Sequence, residues 1–492
     1  MSKTIRFECR ASAPGEGEPQ VLFVQDGNIL YPAFWTAGAR RELDAWQKNA
    51  GFTGGTGEIV WPAGLKSPVI LAGVGKRTDF HAARWLRVWA AIGRQLLQAK
   101  GVARAACAWP EKVWSAQELA ELAGLATEGL LQGAYSFDAY KSKARPRKFI
   151  FTWCGELAGG TSVRAAVRRA EIIGATLNDI RAIANLPAND LGPQDLARHA
   201  QKLARANGLQ CRVWSQAALE KEKCGAFLSV ARGSRRPGCL IRLAYPGKRG
   251  RKPLVIVGKA VMFDTGGISL KPPKGMEWMK FDKGGGMAAL AVALLAARLK
   301  LPRPLIVYIP AIENMPGGGA ARPGDIVTAR NGKTVEILTT DAEGRMILAD
   351  ALSFAADEKP AAIVDIATLT GAAIVALGHE ATAVMGNQDR LVMELMLAGE
   401  TTGERLWQLP LWSEYDDLLK GKFADWQNVG DGSAGTITGG AFLRQFVPEE
   451  IPWAHLDIAG TAWLEAEKPF GGPGATLVPA RLLAEWVART TL

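Results

Sequence analysis

Histidine is scarce in this chain: there are four in 492 residues, His81, His199, His379 and His455. Any histidine-based triad or histidine-rich zinc site would have to draw on them. His455 sits in the apolar, strand-like run Trp453-Ala454-His455-Leu456-Asp457 and reads as a hydrogen-bonded core residue. Cysteine is sparse too. The six, Cys9, Cys107, Cys154, Cys211, Cys224 and Cys239, form no C-x-x-C pair. That excludes a zinc knuckle and a disulfide frame, and points to reduced core thiols in a cytoplasmic protein. Long apolar runs are missing: the longest, Met287 to Ala297, has 11 residues and is closed by Arg298. A membrane span needs about 20, so this run reads as a buried helix of a soluble protein with no membrane partner. Met1 to Pro14 carries Lys3, Arg6, Glu8 and Arg10 with no apolar core, which argues against a secretory signal.

What is present is ordinary globular composition, 48% hydrophobic and 22% charged, which excludes intrinsic disorder. At about 150 residues per domain the length suggests about two or three domains. Lys and Arg total 59 against 48 Asp and Glu, a net charge of +11. Residues 1–160 hold 20 of those cations and 14 of those acids, so +6 of the excess lies in the first third. Its densest stretch, Lys141 to Lys148, reads as a solvated loop entering a strand, or as a nucleic-acid patch.

Residues 1 to about 150 alternate short apolar strands (Val21 to Val24, Pro68 to Leu71, Lys148 to Trp153) with helical stretches (His81 to Lys100, Ser115 to Leu131). Ser162 to Ala184 is helical throughout and ends in the turn cluster Asn185-Leu186-Pro187-Ala188-Asn189-Asp190. It reads as a helix joining two domains. From about 190, strand candidates Cys239 to Ala244, Leu254 to Val257, Leu305 to Ile309, Ala362 to Ala367 and Ala454 to Ile458 alternate with helices Gly284 to Lys300 and Gly344 to Lys359. The expected fold is α/β in two domains. A smaller N-terminal α/β domain spans 1–160, and a linking helix spans 161–185. A larger C-terminal domain, 186–492, has a central mixed sheet covered by helices.

The chemistry gathers at the ends of these strands. A buried strand enters a glycine turn in Val257-Gly258-Lys259-Ala260-Val261-Met262-Phe263-Asp264-Thr265-Gly266-Gly267-Ile268-Ser269-Leu270-Lys271. Met279-Lys280-Phe281-Asp282-Lys283-Gly284 opens one helix, and Thr339-Thr340-Asp341-Ala342-Glu343-Gly344-Arg345 opens another. In open α/β sheets, sites form outside the carboxyl ends of strands. Asp264, Asp282, Asp341 and Glu343 could not share a cavity without cations, because repulsion would raise their pKa values or force them apart. Divalent metals resolve this. An oxygen-rich set suits Mg or Mn, and also Zn in a two-metal hydrolase. A neutral lysine can add a nitrogen ligand, and Lys259, flanked by apolar residues, is the candidate. Gly73-Val74-Gly75-Lys76-Arg77 fails as a phosphate loop, since Arg77 stands where Ser or Thr is required. Gly284-Gly285-Gly286 reads as a tight helix start beside a ligand rather than a dinucleotide loop.

These segments resemble the leucyl (cytosol) aminopeptidase family of dinuclear metallo-exopeptidases. Thr340 to Arg345 looks like that family's central motif. The likeness extends through Gly258-Lys259, Phe263 to Pro272, Met279 to Asp282, Glu313 to Pro316, Arg322 to Asp325, Ala367 to Gly371 and Trp453 to Trp463. It covers roughly 185 to 492. The first 150 residues fit the family's variable N-terminal domain by position and size alone. The resemblance implies that Lys259, Asp264, Asp282 and Glu343 hold one metal. It implies that Asp264, Asp341 and Glu343, with the Asp341 backbone carbonyl, hold the other, and that Asp264 and Glu343 bridge the pair. The metals would be Mn or Zn, with Mg or Co as further options. Lys271 would polarise the scissile carbonyl, and Arg345 would hold a bicarbonate acting as general base. Met279, Thr368, Gly371, Ala459 and Ala462 would line the pocket for the first side chain, which suits Leu-like residues. A homohexamer acting on peptides is implied as well. The alternative from another class is a DNA-binding or architectural protein of the same fold, which the basic N-terminal third accommodates. Three positions depart from the family pattern. Thr339 stands where Asn is usual, Ala260 replaces a Gly, and Lys283 follows Asp282 where an apolar residue is common. Lys283 is expected to point away from the site.

Overall fold

The computed structural model describes residues 5–65, 68–109, 114–142, 148–248 and 250–492. The basic run around Lys143 to Arg147 lies outside the described residues. The chain divides into two compact units, Met1–Asp179 with Ala466–Pro473, and Ile180–Glu465 with Gly474–Leu492. Both are α/β.

The first unit holds a seven-stranded sheet. Ile5–Arg10, Phe149–Cys154, Arg104–Ala108, Gln20–Gln25 and Val69–Gly75 run parallel in that order. Ile59–Val60 adds an antiparallel edge, and Asn28–Leu30 forms a hairpin with Gln20–Gln25. Two helices pack against each other beside it, and their ends follow local chemistry. Ala82–Gln98 is capped by the His81 ring, which accepts the Arg84 amide at 3.1 Å. Ala116–Gly133 begins with a reciprocal capping box between Ser115 and Glu118. Sequence periodicity overlooked the strands Ile5–Arg10 and Arg104–Ala108 and the helix Ala37–Ala50. Ile5–Arg10 alternates charged with apolar residues at the sheet edge, so it lacks the apolar run of a buried strand.

The second unit holds a nine-stranded mixed sheet. At its centre Trp453–Asp457, Ala362–Ala367, Leu254–Gly258 and Leu305–Asn314 run parallel. Thr382–Gly386 flanks them antiparallel on one side, and Cys239–Tyr245 does so on the other. All ten residues of Leu305–Asn314 are buried, as expected of a strand covered on both faces. The helix Gly284–Arg298 is apolar nearly all round, and both it and Glu343–Asp357 are buried along most of their length. The parallel strands point their carboxyl ends the same way; Asn314 and Asp457 end two of them, and Lys259 and Thr368 directly follow the other two. The short strand Ala260–Asp264 pairs with the far half of Leu305–Asn314 and carries Asp264 to the same place. Thr161–Ala184 is one helix of 24 residues.

The six cysteines are free. Cys107, Cys154, Cys224 and Cys239 are buried, whereas Cys9 and Cys211 are half-buried. No helix of the described residues is long and apolar enough to cross a membrane.

Candidate metal centre

Two glycines make the centre possible. At Gly285 a Cβ would lie 2.1 Å from the Ile366 carbonyl oxygen, so only glycine lets the first turn of Gly284–Arg298 press onto the sheet. At Gly344 a Cβ would lie 2.7 Å from the Lys259 Nζ. That missing side chain is the space through which Lys259 reaches the carboxylates.

Lys259 is buried and spends its three donors on Asp282 Oδ1 at 2.9 Å, Glu343 Oε1 at 2.7 Å and the Thr368 carbonyl at 2.8 Å. Burial alone would depress its pKa, but Asp282, Glu343 and Asp264 together outweigh that and raise it. Lys271 pairs with Asp264 Oδ2 at 2.9 Å and Asp341 Oδ1 at 2.5 Å. Burial again pulls down, and Asp264, Glu343 and Asp341 hold the ammonium well above its ordinary range. Asp282, Glu343 and Asp341 shift upward as well. Asp282 rises through burial and through the charges of Glu343 and Asp264, against Lys259. Glu343 rises through burial and Asp264, and Asp341 through burial despite Lys271.

Asp264, Asp341 and Glu343 each bring a carboxylate oxygen within 4.8 Å of the others. Lys259 ties Asp282 to Glu343 at the same centre. Asp282 Oδ2 and Glu343 Oε2 are buried and have no partner within the chain. An unmatched buried carboxylate oxygen is costly, and a hard cation satisfies it. The carboxylate set is oxygen-rich, and Lys259 would add an amine once a bound cation displaces its proton, so the residues fit divalent metal ions. Arg345 lies beside them and is buried. It donates to the Asn428 carbonyl at 2.7 Å, while its Nε has no partner in the chain. Burial lowers its pKa to about 10, although Glu343 and Asp457 oppose the shift.

The structure brings all five acidic and lysine candidates together with Lys271 and Arg345. The side-chain pocket candidates are spread more widely. Thr368 donates to Asp282 Oδ1 at 2.6 Å. Thr368 and Ala462 converge on Gly284, where a Cβ would meet them at 3.6 Å and 3.1 Å. The Ala459 amide donates to Asp457 Oδ1 at 3.1 Å. Met279 lies one turn before Asp282, whose amide donates to its carbonyl at 3.2 Å. Gly371 begins the helix Gly371–Leu377 and is exposed. Lys283 is fully buried and points away from the carboxylates: its Nζ donates to the carbonyls of Leu186 at 3.0 Å and Lys280 at 2.5 Å. Thr339 Oγ1 accepts the Asp341 amide at 3.3 Å.

Sequence reasoning assigned no role to several residues that build the centre. Asn314 donates to Asp264 Oδ1 at 2.8 Å and to the Thr340 carbonyl at 3.1 Å. Thr340 Oγ1 donates to the Gly266 carbonyl at 2.6 Å and accepts the Ser269 amide at 2.8 Å. His455 is a core residue, its Nδ1 2.5 Å from Asp365 Oδ1.

A centre of this composition can polarise a carbonyl and activate water once divalent ions are bound, which places the chain among metal-dependent hydrolases. Comparison with known proteins narrows the class. The catalytic domain of the cytosol aminopeptidase family matches residues 178–484, and that family's N-terminal domain matches residues 21–144. A probable cytosol aminopeptidase from Syntrophotalea carbinolica is 45% identical over 447 residues, 88% of this chain and 89% of its own length. A mutant of the tomato leucine aminopeptidase superposes with a TM-score of 0.90 at 29% identity, covering 100% of this chain and 98% of that one. The bottromycin maturation enzyme BotP in complex with Mn gives 0.83 at 31% identity, over 96% of this chain and 99% of its own. The chain belongs to the cytosol aminopeptidase family. It is a metal-dependent aminopeptidase of a dinuclear class.

Proposed function

We propose that the protein releases N-terminal residues, preferably Leu-like ones, from peptides with two divalent ions, Mn or Zn, at this centre. The observation that carries the reading is the convergence of Asp264, Asp341 and Glu343 within 4.8 Å, beside the Lys259 bridge from Asp282 to Glu343. Lys259, Asp264, Asp282 and Glu343 would hold one ion, and Asp264, Asp341 and Glu343 the other. The pair would supply an activated water and a seat for the free α-amino group, which accounts for attack at the chain end only.

The chain's own residues do the rest. Lys271 stays cationic through its carboxylate neighbours, so it can stabilise charge developing on the scissile carbonyl oxygen. Arg345 offers guanidinium N–H groups beyond the one used on Asn428, which suits it to hold a bicarbonate as proton acceptor. Thr368 and Ala462, with Met279, Gly371 and Ala459, would shape the small apolar pocket for the first side chain. A homohexamer in the cytoplasm is part of the same proposal and rests on the family resemblance alone.

The test is hydrolysis of a leucyl amide by purified, Mn- or Zn-loaded protein. Glu343→Ala should abolish it. Lys271→Ala should lower kcat by about 10²–10³ with little change in KM, since it removes a contact made in the transition state. Full activity in Glu343→Ala would sink the proposal.

A further inference from the structure

Asn428 is fully buried and makes contacts on two separate arms of the centre. Its side-chain oxygen accepts the amide of Leu338 at 2.8 Å and that of Thr339 at 3.4 Å. Its side-chain nitrogen donates to the Thr339 carbonyl at 2.7 Å. Its own amide donates to the Glu336 carbonyl at 2.9 Å, and its own carbonyl receives the Arg345 guanidinium at 2.7 Å. No other side chain grips the Leu338 and Thr339 peptide units among the described hydrogen bonds.

These two units immediately precede Thr340 and Asp341. Beyond them the backbone is held from elsewhere: Ser269 Oγ accepts the Thr340 amide at 3.1 Å, and Asn314 donates to the Thr340 carbonyl at 3.1 Å. The approach to Asp341 is thus pinned on both sides. An amide side chain suits the first pin because it offers an acceptor and a donor to one peptide at once. Aspartate could accept both amides but would oppose the Thr339 carbonyl, and alanine would leave all three groups unmatched in the interior.

We infer that Asn428 is a positioning residue: it sets the direction of Asp341 and, through its carbonyl, the height of Arg345, so that both face one reacting group. The inference rests on the reading of Asp341 and Arg345 given above. Partners that orient a metal ligand typically change metal affinity or turnover by about 10–100-fold when removed.

The test uses the full metal-loaded chain with Asn428→Ala and Asn428→Asp. Hydrolysis of the leucyl amide should show kcat lowered about 100-fold in the first and about tenfold in the second, with KM little changed. Hydrogen exchange should rise at the amides of Leu338 and Thr339 in Asn428→Ala, while the amides of the helix Gly284–Arg298 keep wild-type protection. Mn titration of the same variants should show one of two ions bound more weakly, a readout independent of turnover. Wild-type kcat in both variants overturns the inference. So does a loss of activity that only tracks a lower thermal midpoint with exchange raised everywhere, since Asn428 would then be merely structural. Failure of the wild-type protein to cleave the amide would instead count against the aminopeptidase reading itself.

Discussion

The two units bury different things. Among the described residues of the first, the core is built round Trp85, Trp89, Trp109 and Trp153 with Phe23 and Phe151. Trp109 and Trp153 stack at 5.2 Å, and Trp89 meets Trp153 edge-on at 4.9 Å. Glu18 is the one charged side chain buried there, and it leans on Arg104 at 3.3 Å. The second unit buries Lys259, Asp264, Asp282, Lys283, Glu343 and Arg345, and beyond them Asp350, Asp365, His455 and Asp457. Both units share one architecture of parallel strands and covering helices. One uses it to hide aromatic surface, which favours folding directly. The other uses it to hold charges out of water, which is unfavourable unless each charge is matched. Burial of charge thus marks where the chemistry is, more reliably than the fold does.

Three substitutions can break this contrast. The largest effect should come from Trp153→Ala, which removes the ring that joins the stack: a loss of about 3–5 kcal/mol is expected from a buried aromatic. Calorimetry should show the first unit melting earlier, with the Mn affinity of the second unchanged at lower temperature. An equal loss of metal binding would show that the two cores are not separable. Next comes His455→Gln. The Asp365 carboxylate outweighs burial and raises the imidazole pKa above its ordinary value. A raised histidine contributes stability that is fully present below about 6.5 and fades as pH rises through the folded value. The gap in thermal midpoint between wild type and variant should therefore be widest near pH 5.5 and narrow toward pH 8.5. A gap independent of pH would mean that His455 is neutral and only packs. The smallest effect should be Lys283→Met. Its Nζ faces two carbonyls and no carboxylate, so kcat should stay within about threefold of wild type. A larger fall would mean that this buried amine belongs to the centre after all.

Much of the centre was legible in the sequence because carboxylates recurred where apolar strands stopped. Asp264, Asp282, Asp341 and Glu343 each end a strand or open a helix, and four such positions have one economical explanation. The strand Leu254–Gly258 and the helix Gly284–Arg298 were legible through their uninterrupted apolar residues, and Glu343–Asp357 through the helical spacing of its apolar ones. Asn314 and Asn428 were not. A single asparagine in a loop or at a strand end has no period, and its meaning lies in peptide groups that are distant in sequence: 26 positions separate Asn314 from Thr340, and 89 separate Asn428 from Thr339. The strand Ile5–Arg10 was lost because edge strands tolerate charge, so its pattern resembles that of a loop. Lys283 was read correctly as turned away, but nothing in its neighbours could have shown that Leu186 and Lys280 receive it.

The close approaches at Gly285 and Gly344 carry a consequence for recombining this chain with its relatives. Gly285 leaves room for the Ile366 carbonyl and Gly344 for the tip of Lys259, so three stretches far apart in sequence are cut to one another's shape. A chimera that exchanges residues 254–286 alone sets a foreign strand against a resident helix start at contacts closer than any side chain allows. Crossover points within the block that runs from Leu254 to Thr368 therefore keep these fits only where the incoming segments retain glycine at positions 285 and 344.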